Sequence, residues 1–228
     1  MKRGLFISFE GCDGCGKTTA LNLVKEKLHA LNIDPLFTRE PGGSKIAEQI
    51  RNIILDPKNT EEDCRTEALL YAASRRQHLI DVVLPALEEG RMVISDRYLD
   101  SSLAYQGHAR GIGIKEVLSI NEFAIDGIYP DLTFFLDLSP EEGIKRMQGR
   151  EREADRLDIE KESFHQKVYE GYQIVNEMFA SRIIKIDASR TPDEIASEIV
   201  SIIIKRSNNG SRDFSHQREK ISEIDSQF

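Results

Sequence analysis

The chain has 228 residues, a formal net charge of -8, 39% hydrophobic residues and 31% charged residues. This size fits one domain, or at most two, with a sizeable core, and the negative charge argues against general affinity for nucleic acid, which favours a basic surface. The three cysteines are too few for a disulfide framework, and the sequence has neither a signal peptide nor an apolar run long enough for a membrane span. We therefore expect a cytoplasmic protein that binds neither nucleic acid nor membranes.

Short apolar segments alternate with helical patterns along the chain. Five of these segments are predicted to be strands buried on both faces: Leu5–Phe9, Leu36–Thr38, Met92–Ser95, Thr133–Leu138 and Ile183–Ile186. Lys17–Leu31 has apolar residues at helical spacing, and Ser139–Glu142 and Thr191–Glu194 each combine a cap, a proline and a glutamate that predict a helix start. The alternation predicts an α/β fold with an open parallel sheet flanked by helices.

The segment Gly11–Thr18 matches the phosphate-loop pattern G-x-x-x-x-G-K-[ST] between a predicted strand and a predicted helix, which is the context that the motif requires. Its glycines let backbone N–H groups turn toward phosphate oxygens, and the helix adds the positive end of its dipole. The motif predicts that Lys17 reaches the β- and γ-phosphates and that Thr18 binds Mg²⁺. The predicted nucleotide-binding residues are Gly11, Cys12, Asp13, Gly14, Cys15, Gly16, Lys17, Thr18 and Thr19.

Other residues of this loop allow more than one interpretation. Cys12 and Cys15 form a C-x-x-C pattern, but a zinc site needs two further ligands and only Cys64 remains, without a histidine pair at suitable spacing. We therefore interpret both cysteines as small loop residues. Asp13 would repel phosphate, so it is either an ordinary loop residue or an acceptor for a sugar hydroxyl of a second ligand.

Candidate site residues also follow the second and third predicted strands. Asp96 ends the third strand, where a carboxylate suits Mg²⁺ or its waters, and Arg97 beside it suits a phosphate. Alternatively, Asp96 and Arg97 form a structural ion pair. Arg39 follows the second strand, at the carboxyl edge of the sheet where ligands bind, and it is within reach of a phosphate there.

Two pairs of residues at i and i+4 predict a nucleobase site. Tyr71 and Arg75 share a helix face, where the ring can stack on a base and the guanidinium can donate to a base carbonyl. The same spacing fits an amphipathic helix with a core tyrosine and a solvated arginine. Ser102 and Gln106, with Tyr105 close by, form the second pair, and a glutamine amide can read a pyrimidine edge because it both donates and accepts.

The segment Lys145–Arg156 is unusually charged. It is either a solvated helix face or a lid that closes over a nucleotide and brings arginines to a transferred phosphoryl group. Apolar periodicity vanishes from Ser207 onward. We therefore predict one folded domain over residues 1–206, with a lid at about residues 145–158, and a disordered tail over residues 207–228.

Six segments in order resemble the thymidylate kinase family from about Leu5 to Arg206: FEGCDGCGKTT, TREPGG, LLYAASRR, SDRYLDSSLAYQG, PDLTFFLDL and REREADRLD. The resemblance implies a phosphate-loop kinase fold with five parallel strands in the order 2-3-1-4-5, and a homodimer. It also implies transfer of the γ-phosphoryl group of ATP to dTMP with Mg²⁺, so the implied small-molecule partners are dTMP and ATP.

The family resemblance also implies roles for individual residues. The dTMP-binding residues would be Asp13 at the sugar 3′-hydroxyl, Arg39 and Arg97 at the phosphate, Tyr71, Arg75, Ser102 and Gln106 at the base, and Tyr105 beside the sugar 2′ carbon. Some members carry arginine in the phosphate loop where this chain has Gly14, so the resemblance is to the class whose lid supplies that arginine. The implied catalytic residues are Lys17, Arg97, Arg150 and Arg152, with Arg156 as a third lid candidate, and the implied metal-binding residues are Thr18 and Asp96.

Two other functions stay open at this point, and the sequence argues against a third. The chain could be a kinase for another nucleoside monophosphate or a deoxynucleoside, or an ATP-binding regulatory module that phosphorylates no nucleotide. A regulatory GTPase should carry an N-K-x-D guanine motif, which the sequence lacks.

Overall fold

The computed structural model describes residues 3–147, 157 and 162–208. The strands are β1 (Phe6–Glu10), β2 (Leu36–Arg39), β3 (Val93–Asp96), β4 (Leu132–Asp137) and β5 (Ile183–Asp187). The helices are α1 (Lys17–Ala30), α2 (Lys45–Leu55), α3 (Cys64–His78), α4 (Leu84–Glu88), α5 (Leu99–Ser102), α6 (Ile114–Ile125), α7 (Pro140–Met147), α8 (Glu162–Met178) and α9 (Pro192–Asn208). The lid arginines Arg150, Arg152 and Arg156 lie outside the described residues. Of the predicted tail, Ser207 and Asn208 are the last residues of α9, and residues 209–228 lie outside the described residues.

The five strands form one parallel sheet in the order β2-β3-β1-β4-β5, which confirms the predicted fold class. The observed strands differ from the predicted segments by one residue at either end. The prediction that all five are buried on both faces is wrong for two of them: in β2, Leu36 to Thr38 are half-buried and Arg39 is exposed, and in β5, Ile184 is half-buried and Lys185 is exposed. The reason is topological, because β2 and β5 are the edge strands and each has a neighbour on one side only.

Two apolar layers cover the two faces of the sheet, as alternation along a strand requires. Phe6 in β1 belongs to the layer shared with α8 and with a π-helical segment, Leu103–Ala109, that continues α5. Ile7 and Phe9 belong to the layer shared with α1 and α9 on the opposite face. Of the helices that the structure describes, none has the length and apolar character needed to cross a membrane.

Local signals set the starts of α7 and α9 where the sequence predicted them. The backbone N–H of Thr191 donates to Glu194 Oε2 at 3.1 Å, and the Glu194 N–H donates back to Thr191 Oγ1 at 3.4 Å, which is a capping box. The hydroxyl of Ser139 accepts the N–H of Glu142 at 3.3 Å. These side chains satisfy N–H groups that have no partner within the helix.

The strand order brings the ends of β1 and β3 together. Phe9 is in register with Asp96, and the backbone N–H of Arg97 donates to the Phe9 carbonyl at 2.9 Å. Residues that follow β3 therefore lie beside the loop that follows β1, at the carboxyl edge of the sheet.

Candidate active site

The phosphate-loop motif forms the predicted turn between β1 and α1. Gly14 has φ of 80°, and a Cβ atom there would lie 2.2 Å from the carbonyl oxygen of Gly143 in α7, so this position requires glycine. Lys17 Nζ donates to the Gly11 carbonyl at 3.2 Å across the loop. The exposed Thr18 belongs to the first turn of α1, whose N–H groups suit an anion.

A cleft of about 200 Å³ extends from this loop to α3 and the π-helical segment. The predicted site residues that line it are Cys12, Asp13, Gly14, Cys15, Gly16, Lys17, Thr18, Thr19, Arg39, Tyr71, Arg75, Asp96, Arg97, Tyr105 and Gln106. Gly11 and Ser102 do not line the cleft, and Arg150 and Arg152 lie outside the described residues. One continuous cleft thus joins the nucleotide loop to the predicted base site.

The two loop cysteines are buried thiols. Cys12 and Cys15 are 5% and 2% exposed, and burial raises the pKa of both thiols above their ordinary value. The thiolate, which is the nucleophile and metal ligand of cysteine, is therefore disfavoured at both positions. Across the described part of the chain, no three residues of the types His, Cys, Asp and Glu are grouped so that they could hold a metal ion.

Arg97 is at the centre of the hydrogen bonds in the cleft. Its Nη2 donates to Asp13 Oδ1 at 2.7 Å and to the Tyr105 hydroxyl at 3.2 Å. Its Nη1 donates to Ser101 Oγ at 3.1 Å and to the Tyr172 hydroxyl at 3.0 Å. Within the described chain, the ion pair of Arg97 is therefore with Asp13 in the phosphate loop and not with the adjacent Asp96, which was the structural alternative considered from the sequence.

Asp13 is held as a carboxylate by this arrangement. Burial raises the pKa of Asp13, but the nearby charges of Arg97 and Lys17 and the hydrogen bond from Tyr105 outweigh burial and lower it to about 2. The Tyr105 hydroxyl donates to Asp13 Oδ2 at 2.8 Å. Each carboxylate oxygen has two lone pairs, so Asp13 keeps the capacity to accept a further hydrogen bond.

Asp96 has the properties of a magnesium-site residue. It lines the cleft at the end of β3, and its Oδ1 is buried with no hydrogen-bond partner among the described residues. A buried carboxylate oxygen without a donor is costly unless a cation or water satisfies it. Mg²⁺ prefers such oxygens and keeps several waters, so Asp96 and the exposed Thr18 fit the predicted ion.

Arg39, which is in register with Asp96 at the ends of β2 and β3, lines the cleft, and Glu48 of α2 holds it there. Its guanidinium is 2.9 Å from Glu48 Oε1, and its Nη1 donates to the Pro41 carbonyl at 2.9 Å. Arg51, which the sequence analysis missed, donates to the same carbonyl at 2.8 Å and also lines the cleft. The Pro41 carbonyl thus holds two guanidinium groups at the cleft. An arginine within an amphipathic helix carries no signal in the sequence that distinguishes it from a solvated one.

Arg75 is buried, which excludes the alternative of a solvated arginine on an amphipathic helix. It is 1% exposed and forms an ion pair with Glu40 through Nε at 2.7 Å. Its Nη2 donates to the Tyr98 carbonyl at 2.9 Å. Tyr71, one turn earlier in α3, is also buried and lines the cleft with Arg75. The predicted base-stacking ring and the predicted base donor thus lie in the same cleft wall.

Ser102 and Gln106 do not lie in the same part of the site. Ser102 lies behind the cleft wall, where its hydroxyl accepts from Arg75 Nη1 at 3.1 Å. Gln106 lines the cleft and its Nε2 donates to Glu67 Oε1 at 2.8 Å. The intervening backbone is partly π-helical, so i and i+4 residues there do not share a face as they do in an α-helix. The i and i+4 spacing in the sequence therefore did not predict that Ser102 and Gln106 occupy different positions.

Glu10 is a further residue that the sequence analysis missed. Its buried carboxylate, at the end of β1, accepts the Tyr98 N–H at 2.8 Å and the Tyr172 hydroxyl at 3.0 Å. It also accepts the hydroxyl of Ser101. Because Ser101 and Tyr172 also accept from Arg97, Glu10 orients the hydroxyl groups around that arginine. Burial raises the pKa of Glu10 to about 7.

We predict that Glu10→Gln changes how stability depends on pH. Burial raises the pKa of Glu10 from 4.5 to about 7, so its contribution to folding is present at low pH and is lost as pH rises through that window. The variant lacks this titration. Its free energy of unfolding relative to wild type should rise by about 2 kcal/mol between pH 5 and pH 8, measured by urea denaturation of both proteins in the same buffers. A difference that stays constant over this range would contradict the prediction.

Comparison with known proteins agrees with this geometry. The family model described as thymidylate kinase matches residues 9–199. A thymidylate kinase of Geobacillus sp. (strain WCH70) is 54% identical over 203 residues, 89% of this chain and 97% of the relative. A thymidylate kinase of Clostridium novyi is 54% identical over 200 residues, which cover 87% of this chain and 98% of the relative. A thymidylate kinase of Lactobacillus helveticus is 50% identical over 206 residues, which cover 90% of this chain and 97% of the relative. The chain belongs to the thymidylate kinase family and is an enzyme of that kind.

Proposed function

We propose that this chain transfers the γ-phosphoryl group of ATP to dTMP, giving ADP and dTDP, with Mg²⁺. The observation that carries this proposal is that one cleft is lined both by the phosphate loop and by the predicted base-binding residues Tyr71, Arg75 and Gln106, with Arg97 joined to the loop through Asp13. Two nucleotides bound at these two places would meet with their phosphates together. Phosphoryl transfer needs little more than in-line placement and neutralised charge.

On the donor side, the loop N–H groups and Lys17 hold the phosphates of ATP. Lys17 is 9% exposed and lies against Gly11, so its ammonium is already confined to the loop when the nucleotide arrives. Thr18 and Asp96, directly or through waters, would hold Mg²⁺, which would supply further positive charge to neutralise the phosphates. Arg97 supplies a second fixed positive charge beside the transferred group.

On the acceptor side, the base and sugar of dTMP occupy the rest of the cleft. Tyr71 stacks on the base and Arg75 donates to it, while Ser102 acts through Arg75. Asp13 accepts the 3′-hydroxyl, and Tyr105, held on Asp13 at 2.8 Å, crowds the 2′ carbon. The phosphate is held by Arg39 and Arg97. The attacking phosphate oxygen is already anionic at neutral pH, so no strong general base is required.

The lid arginines complete the proposal. Met147 and Leu157, the described residues on either side of the central lid segment, both line the cleft. We assign to Arg150 and Arg152 the role of neutralising the negative charge that develops on the transferred phosphoryl group. The three cysteines are free thiols, which fits a reducing compartment, and we therefore place the enzyme in the cytoplasm.

Purified protein supplied with ATP, Mg²⁺ and a panel of nucleoside monophosphates and deoxynucleosides should phosphorylate dTMP with the highest kcat/KM. Preference for another acceptor would favour the competing kinase function. ATP hydrolysis without any phosphorylated nucleotide would favour a regulatory module.

Lys17→Ala should lower kcat for dTMP by several orders of magnitude because it removes a charge that neutralises the transferred phosphoryl, while the melting temperature stays near that of wild type.

A homodimer is the second part of the proposal. Helices α3 and α6 pack together, and each exposes a large apolar side chain: Leu69 is 56% exposed and Phe123 is 91% exposed. Apolar side chains this exposed on neighbouring helices are typical of a surface that another subunit covers.

We predict that Phe123→Asp converts the dimer to a monomer, because a carboxylate buried in an apolar interface has no partner there. Sedimentation velocity over a range of concentrations measures the change. Leu31→Asp is the matched control, since Leu31 is 51% exposed at the end of α1 and should leave the oligomeric state unchanged. Wild type and Phe123→Asp sedimenting alike would contradict the proposed interface.

A further inference from the structure

Glu67, at the start of α3, contacts the base wall from behind. It is 1% exposed and does not line the cleft. Its Oε1 accepts from Gln106 Nε2 at 2.8 Å, and its Oε2 is paired with Arg110 Nη2 at 3.2 Å. Arg110 is fixed in turn by the ring of Phe164 in α8, with the guanidinium carbon 4.5 Å from the ring centroid. The carboxylate of Glu67 is thus an anchored acceptor directly behind Gln106.

This anchoring decides which end of the Gln106 amide faces the cleft. A carboxylate paired with arginine only accepts hydrogen bonds, so the NH₂ end of the amide must face Glu67. The carbonyl end is then directed away from Glu67. Within the described chain, Gln106 Oε1 accepts no hydrogen bond from protein, and Gln106 lines the cleft. The amide therefore offers the cleft an acceptor and not a donor.

The neighbouring Arg75 offers the complementary group. A guanidinium has five N–H groups, and four are used within the protein: Nε on Glu40, Nη1 on Ser102 and Asn121, and Nη2 on the Tyr98 carbonyl. The fifth, on Nη2, is left for the cleft that Arg75 lines. The wall thus presents one donor and one acceptor of fixed polarity.

Such a wall distinguishes pyrimidines by their hydrogen-bonding edge. Thymine and uracil carry an imide, with an N3–H donor beside a C4 carbonyl acceptor, whereas cytosine carries an N3 acceptor beside a 4-amino donor. We propose that Glu67 is a specificity-determining positioning residue, which rejects cytosine nucleotides by holding the Gln106 carbonyl toward the position of N3. This role of Glu67 rests on the proposed phosphorylation of dTMP and adds a basis for its specificity toward the base.

Glu67→Gln tests the proposal with little change in volume. The new amide can accept from Arg110 while it donates to Gln106, so the Gln106 amide is free to turn and present N–H to the cleft. A buried hydrogen bond of wrong polarity costs about 1–3 kcal/mol, which corresponds to roughly 5- to 150-fold. We therefore expect the ratio of kcat/KM for dTMP to that for dCMP to fall at least about fivefold, through a higher KM for dTMP, with kcat nearly unchanged.

A merely structural role for Glu67 would lower both activities together and leave the ratio as it was. Gln106→Leu provides the coupling test, because adding Glu67→Gln to that variant should not change the ratio further. Asp131→Asn is the matched control. Asp131 is also a buried carboxylate, paired with Arg3 at 3.2 Å and remote from the cleft lining, and its loss should lower stability without moving the ratio.

If Glu67→Gln does not fold, Glu67→Ala replaces it, because water can then occupy the place of the carboxylate and both donate to and accept from Gln106. The same fall in the ratio is expected. An unchanged ratio in a folded variant, with wild type active on dTMP, overturns the role of Glu67. Wild type that is inactive on dTMP overturns the proposed function instead.

Discussion

The ion pair between Arg97 and Asp13 is the contact on which the site depends. It joins the loop after β1 to the segment after β3 at 2.7 Å, and the remaining donors of Arg97 extend to Tyr105 and Tyr172 on two other elements. Arg97 has a backbone φ of 70°. Residues other than glycine rarely adopt this conformation, and it persists where surrounding contacts hold it. A guanidinium fixed in this way remains in position as phosphate charge shifts.

The parallel sheet explains why these groups meet. Because β3 lies beside β1, the residues after both strands emerge at the same edge, and a tight loop at Gly14 leaves space for a ligand between them. Buried carboxylates hold polar groups of the cleft in place: Glu10 accepts from hydroxyls around Arg97, Glu40 pairs with Arg75, and Glu67 accepts from Gln106. Each one fixes a side chain whose polar end faces the cleft, so that little reorganisation is needed when a ligand binds.

Sequence patterns predicted those features that are local or set by periodicity. The strands, the phosphate loop and the capping box at Thr191 follow from short segments, and all agree with the structure. The partial exposure of β2 and β5 was not predicted, because a short apolar run does not show whether a strand lies at the edge. The burial of Arg75 and the roles of Glu10 and Glu67 also depend on partners distant in the chain, and an isolated acid or arginine in a helix looks solvated. The π-helical backbone after α5 altered the geometry on which the Ser102 and Gln106 spacing argument depended.

The role of Arg97 as the phosphate-holding group of the acceptor site is tested most directly by comparing two ligands that differ only in the phosphate. Calorimetry with dTMP and with thymidine, on wild type and on Arg97→Gln, gives the preference for the phosphorylated ligand in each protein. The account predicts that this preference falls by about tenfold or more in the variant, because a charge-assisted hydrogen bond contributes about 1.5–3 kcal/mol. An unchanged ratio of the two dissociation constants would contradict it.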